Sequence, residues 1–141
     1  MKHFEELVNK KKETFNLKKF TRAEINELMI TLTGKLTLIK NKIELDFFIK
    51  DESSIIRAAV AKQGYGLDIL INDESYLVRK AVAKNGYKLE VLINDGVGSV
   101  RAEVAKQGYG LDILINDESE LVREEVASQG YGLDTLINDE H

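Results

Sequence analysis

Apolar residues recur along this chain with a period of 22. Starting at Asp51, four consecutive copies read DESSIIRAAVAKQGYGLDILIN, DESYLVRKAVAKNGYKLEVLIN, DGVGSVRAEVAKQGYGLDILIN and DESELVREEVASQGYGLDTLIN, ending at Asn138. In the first copy Ile56, Val60 and Gln63 lie near one line at helical spacing, flanked by Ile55 and Ala59, so SIIRAAVAKQ predicts an amphipathic helix. Ser53 stands where an N-cap hydroxyl would accept from a first-turn N–H. Gly64, repeated as Gly86, Gly108 and Gly130, stops the helix by supplying a left-handed residue.

GLDILIN then predicts a second, shorter helix, with Leu67, Leu70 and Ile71 facing inward. Asp68 sits in its first turn, where a carboxylate favours the positive end of the helix dipole, and Glu90, Asp112 and Asp134 repeat that choice. Paired helices joined by brief turns leave no room for a strand. The predicted fold is all-α: an α-solenoid, or superhelix, of two-helix repeats over residues 51–138, each unit completing its neighbour's core.

The pattern starts earlier in degenerate form. Residues 38–50, LIKNKIELDFFIK, align with VAKQGYGLDILIN on a shift of 22, which makes them a leading half repeat. Upstream, Thr21-Arg22-Ala23-Glu24 is a capping box opening a helix expected to run to Gly34, with Phe20 and Ile25 placed as a hydrophobic staple. Residues 3–14 predict one more amphipathic helix, with Phe4, Leu7 and Val8 on its apolar side. Residues 1–37 together predict the helical cap that an open-ended array needs. In the last unit Thr135 replaces the earlier Ile or Val, and Glu120, Glu124 and Glu125 give the polar character of a capped end. Residues 139–141 form a tail, and His141 reads equally as native or as the remnant of a purification tag.

Composition narrows the chemistry. The 141 residues contain no cysteine, which excludes disulfides and thiolate metal sites, and the two histidines stand near opposite ends as His3 and His141. No nucleophile–base set, converging carboxylate pair or glycine-rich phosphate loop is visible, so no catalytic site, metal or cofactor is expected. No stretch approaches the ~18 apolar residues of a membrane span. The first residues lack a signal peptide's apolar core, and the expectation is a cytoplasmic protein. The net charge of −4 hides an asymmetry: residues 1–50 carry 11 Lys/Arg against 7 Asp/Glu, and residues 51–141 carry 9 against 17. An array at −8 should repel a phosphate backbone, whereas the basic head could tolerate one.

The core string of each copy is hydrophobic-Arg-x-x-Val-Ala, as in Ile56-Arg57…Val60-Ala61, Val78-Arg79…Val82-Ala83, Val100-Arg101…Val104-Ala105 and Val122-Arg123…Val126-Ala127, followed by Leu-Asp/Glu-x-Leu-Ile. It resembles the variant leucine-rich repeat and is also similar to short relatives of HEAT-type α-solenoids. The resemblance covers residues 51–138 and, weakly, 38–50. It implies an α-helix alternating with a short 3₁₀-like helix in a right-handed superhelix. Two departures matter: the period is short for that family, and Tyr-Gly or Tyr-Lys replaces the prolines that commonly start its second helix. That helix is therefore expected to be regular α. The cysteine-bound iron–sulfur cluster of one family member cannot carry over to a chain without cysteine.

In a stack of units, each fixed residue becomes a row. The Arg row (Arg57, Arg79, Arg101, Arg123) could be an anion ladder. The favoured reading pairs each guanidinium with the Asp six residues before it or with carbonyls of a neighbouring unit. The Tyr row (Tyr65, Tyr87, Tyr109, Tyr131) could stack bases or dock a peptide, but is expected to pack between the helices of a unit with hydroxyls at the rim. The Ala row (Ala61, Ala83, Ala105, Ala127) reads as close packing. The Asn-Asp-Glu corners, such as Asn72-Asp73-Glu74, lack calcium-loop spacing and read as caps and turns.

Positions that vary between copies are the more telling ones. The fourth, eighth and twelfth residues of each unit are expected to point outward: Ser54-Ala58-Lys62, Tyr76-Lys80-Lys84, Gly98-Ala102-Lys106 and Glu120-Glu124-Ser128. Tyr76 among Lys62, Lys80, Lys84 and Lys106 has the composition of an interaction hot spot; the alternative is a solvated helix face. Gly96-Val97-Gly98 loses the serine cap, which predicts a looser joint there. The leading function is a non-catalytic protein–protein interaction module, an adaptor or scaffold. The alternatives are nucleic-acid binding through Lys10, Lys11, Lys12, Lys18 and Lys19 or through the Arg row, and a phage- or mobile-element-borne inhibitor of a host protein.

Overall fold

The computed structural model describes residues 20–132, which are all-α: ten helices and no strand among the described residues. The segment predicted as a helix over 3–14, the basic lysines of the head, Thr135 and the tail lie outside them. So does the second helix predicted for the fourth copy. The described residues divide into two compact units, one ending at Gly66 and one beginning at Leu67.

The first unit opens with α1 (Arg22–Leu28), whose start is the capping box: the Thr21 hydroxyl accepts from Glu24 N at 3.1 Å and the Glu24 carboxylate reaches back to Thr21. The helix does not run to Gly34. It ends at Leu28, and α2 (Leu32–Lys40) begins after a turn, with the Thr31 hydroxyl accepting from Gly34 N at 2.9 Å. Gly34 is an interior residue of α2, buried against α1, and a Cβ there would run into the Leu28 carbonyl. Threonine in a second N-cap therefore interrupts the expected helix, and glycine allows the two pieces to cross closely.

Helix α2 has nine residues and lies 22 before the nine-residue α4 (Ser54–Lys62), with the four-residue α3 (Leu45–Phe48) between them. The long–short alternation thus begins at Leu32, upstream of residue 38. Leu28, Leu38, Phe48, Ile56 and Val60 are fully buried and form the core of this unit. Burying each such side chain stabilises by about 1.5–3 kcal/mol.

In the second unit, short helices α5 (Leu67–Leu70), α7 (Leu89–Leu92) and α9 (Leu111–Leu114) alternate with long helices α6 (Tyr76–Lys84), α8 (Gly98–Lys106) and α10 (Glu120–Ser128). Helix α8 packs against α6 on one side and α10 on the other. The core is Val78, Val82, Val100, Val104, Val122 and Val126 of the long helices with Leu70, Leu92 and Leu114 of the short ones. Ala83 and Ala105 are fully buried where long helices meet, whereas Ala127 on α10 is exposed. Each short helix closes with an α-type bond, such as Ile93 N to Leu89 O at 2.9 Å, and exits through a 3₁₀-type bond, such as Asp95 N to Leu92 O at 3.0 Å.

Two expectations about helix faces are corrected. Ile55, expected beside the core, is 53% exposed, and Ala58, expected to point outward, is buried at 8%. The long helix is rotated slightly from the face inferred, because its buried line runs through Ile56, Val60 and Ala61 with Ala58 beside it.

Candidate functional site

Each repeat corner is built around one aspartate whose carboxylate folds back on the chain. Oδ1 of Asp51, Asp73, Asp95 and Asp117 accepts from the backbone N–H two residues on, at 2.9, 2.8, 2.9 and 2.8 Å. This side-chain turn leads into the following long helix. The hydroxyls of Ser53, Ser75 and Ser119 make no cap bond, so serine is not the capping group expected from its position. At Gly96-Val97-Gly98, which likewise has no side-chain cap bond, Asp95 accepts from Val97 N as the other corner aspartates do, and α8 keeps nine residues.

In Asp51, Asp95 and Asp117 the second oxygen takes a cation from 16 residues earlier. Arg79 holds Asp95 through Nε–Oδ2 at 2.7 Å and Nη2–Oδ1 at 3.2 Å, and Arg101 holds Asp117 at 2.8 and 3.0 Å. Lys35, which stands 22 before Arg57, fills the same role with Asp51 at 2.9 Å. The Asp six residues before each Arg contributes its backbone carbonyl instead: Nη1 of Arg57, Arg79, Arg101 and Arg123 donates to Asp51, Asp73, Asp95 and Asp117 O at 2.6–2.8 Å. Each of these guanidinium groups therefore ties a helix to its own corner, and those of Arg79 and Arg101 also reach the next.

These bonds shift the titrating groups. Burial disfavours charge on Asp95, but the Arg79 bonds, the Val97 N–H and the fields of Arg79 and Arg101 outweigh it and hold the carboxyl below its ordinary value. Asp51 is lowered against the same opposition by Lys35 and Ser53 N–H. For Asp117 the Arg101 hydrogen bonds are the leading cause of the lowering. The carboxylates in turn raise Arg79 and Arg101.

The remaining rows stand at the surface. Tyr65, Tyr109 and Tyr131 are 37–41% exposed and Tyr87 is half-buried. The Tyr65 hydroxyl donates to Asp46, and Lys88 Nζ stands 5.4 Å from the Tyr87 ring centroid. Tyr76, Lys62, Lys80, Lys84 and Lys106 are all exposed. Leu77 beside Tyr76 is exposed as well, which adds apolar surface to that face.

A row not singled out from the sequence lies on the short helices. Ile69, Val91 and Ile113 are 60, 53 and 64% exposed, although the leucine after each is buried to 1–2%. Phe47 holds the equivalent position in the first unit and is exposed too. An acidic residue precedes each member: Asp46, Asp68, Glu90 and Asp112, all exposed. Beside this row lie open grooves. One of about 590 Å³ runs along Lys35, Phe47, Lys50 and Asp51, and its counterpart of about 520 Å³ runs along Arg79, Val91, Asn94 and Asp95. Each is lined by both the cation–aspartate pair and the exposed apolar residue.

Among the described residues no group of His, Cys, Asp or Glu could hold a metal ion, and no helix is long and apolar enough to cross a membrane. Compared with protein-family models, curated proteins and solved structures, the chain finds no match.

Proposed function

We propose that this chain is a non-catalytic protein-interaction module: a small α-solenoid adaptor or scaffold that holds a protein partner on side chains repeated with its 22-residue period. The observation that carries the reading is the exposed aliphatic row Ile69, Val91 and Ile113 beside a core that does not use it. Isolated apolar residues on a surface need no explanation, but a repeated row on equivalent helices is what an interaction surface requires. The face of Tyr76, Lys80 and Lys84, with Leu77 exposed next to it, offers a second set of contacts.

The nucleic-acid alternative is less well supported. Arg79 and Arg101 direct three nitrogens each at protein oxygens, so they are poor candidates for a phosphate ladder. The test is affinity capture from the source cell with the full chain, followed by mass spectrometry. Two variants serve as controls: Tyr76→Ala/Lys80→Ala/Lys84→Ala and Ile69→Ser/Val91→Ser/Ile113→Ser. Loss of the captured protein with either triple variant supports the proposal. Capture of nothing, or of nucleic acid alone, would sink it.

A further inference from the structure

The short-helix row says more about its partner than that it is a protein. In the second unit the exposed apolar residues Ile69, Val91 and Ile113 each follow an exposed carboxylate, Asp68, Glu90 or Asp112. These three carboxylates differ from the corner aspartates Asp95 and Asp117, whose charge is met by Arg79 and Arg101. The exposed lysines Lys80, Lys84 and Lys106 belong to the long helices, whereas exposed Lys88 stands just before α7 with its ammonium over the Tyr87 ring. The surface at the short helices is thus an apolar row edged by three carboxylates against the ammonium of Lys88.

We propose that this face binds a basic amphipathic segment of a partner protein, with its apolar residues on Ile69, Val91 and Ile113 and its Lys or Arg side chains on Asp68, Glu90 and Asp112. The inference rests on the protein-interaction reading and names its partner's chemistry. Charge complementarity is what selects the occupant: an acidic segment would set like charges against the carboxylates, and a neutral one would leave them unmatched beside a dry contact. The spacing fits as well. Helices packed side by side, as α6, α8 and α10 are, stand about 8–10 Å apart. Equivalent positions on successive short helices should share roughly that interval, which about six to seven residues of a helical peptide span at about 1.5 Å each.

The experiment is selection of a random peptide library displayed on phage against the immobilised full chain, repeated with Ile69→Ser/Val91→Ser/Ile113→Ser and with Asp68→Lys/Glu90→Lys/Asp112→Lys. Circular dichroism and thermal melts verify that both variants fold. The expected result is enrichment of peptides with apolar residues at helical spacing and a Lys/Arg excess. Their affinity should fall at least fivefold with either variant, and the loss with the charge variant should shrink at high salt. Enrichment of acidic or uncharged peptides, or basic ones that both variants bind equally well, overturns the inference but leaves the interaction module standing. Enrichment of no peptide, together with an empty affinity capture, overturns both.

Discussion

Arg101 and Asp117 join two successive repeats through a forked pair, Nε to Oδ2 at 2.8 Å and Nη2 to Oδ1 at 3.0 Å, while Asp117 Oδ1 also accepts from Ser119 N. One carboxylate therefore shapes a corner and receives the neighbouring helix. Asp117→Asn keeps an oxygen for the Ser119 amide but loses the charge, and Asp117→Ala loses both. Both partners' side chains are about nine-tenths buried, so removing one strands the other. We expect losses of about 1–2 kcal/mol for Asn and about 2–4 kcal/mol for Ala, read by urea denaturation.

The same carboxylates set an acid limit. Asp51, Asp95 and Asp117 have folded-state pKa values below their ordinary value. A depressed carboxyl contributes stability that is fully present above its unfolded value, near pH 4, and is lost as pH falls through the folded one. Unfolding midpoints should therefore decline below about pH 4. The decline should be shallower in Asp95→Asn, which has one such group fewer. An equal acid slope in that variant and the parent chain would refute the assignment.

Much of this was legible in the sequence, and the exceptions have physical causes. The period of 22 gave the helices because Val78, Val82 and their equivalents recur at helical spacing in every copy. The partner of the Arg side chain was not legible: for Arg101 the Asp six residues back, Asp95, is the nearer candidate in sequence, but it presents its carbonyl, and its carboxylate faces Arg79 of the previous repeat. Lys35, a cation 22 before Arg57, was the available clue that the position pairs forward. The exposed row stayed hidden because a four-residue helix is too short to show periodicity. In Asp68-Ile69-Leu70-Ile71, three adjacent apolar residues read alike, although only Leu70 and Ile71 are buried. Ser53 misled for a different reason: serine suits an N-cap, yet its hydroxyl makes no cap bond, and the corner is shaped by Asp51 accepting from the Ser53 N–H.

Capping chemistry separates two hydroxyls that look equivalent in sequence. The Thr21 hydroxyl accepts from Glu24 N at 3.1 Å, and the Ser75 hydroxyl caps nothing. Thr21→Ala should cost about 1 kcal/mol and Ser75→Ala less than about 0.5 kcal/mol. Paired thermal melts decide it, and an equal effect of the two would remove the distinction.

The residue before each short helix is left-handed: Gly110 has φ +65° and Lys88 has φ +46°. A Cβ on Gly110 would also meet the Ile93 Cδ1 methyl. Gly110→Ala should therefore destabilise by about 1–3 kcal/mol, from the strained backbone and the displaced methyl. Lys88→Gly should do the opposite, gaining up to about 1 kcal/mol as the side-chain strain is removed. Denaturation of both variants measures this, and a stabilising Gly110→Ala would contradict the geometry.

Ile113 and Leu114 are neighbours with opposite surroundings, one 64% exposed and the other 2%. If the exposed row exists for a partner, its loss should leave the fold intact while the adjacent leucine is indispensable. Leu114→Ala opens a cavity beneath α9 and should cost about 2–5 kcal/mol. Ile113→Ser removes surface that water already reaches and should change stability by less than about 0.5 kcal/mol. Chemical denaturation of both variants, beside a binding assay on Ile113→Ser, gives the comparison. A large stability loss with Ile113→Ser would mean that the isoleucine serves the fold, and the argument for a binding row would lose its basis.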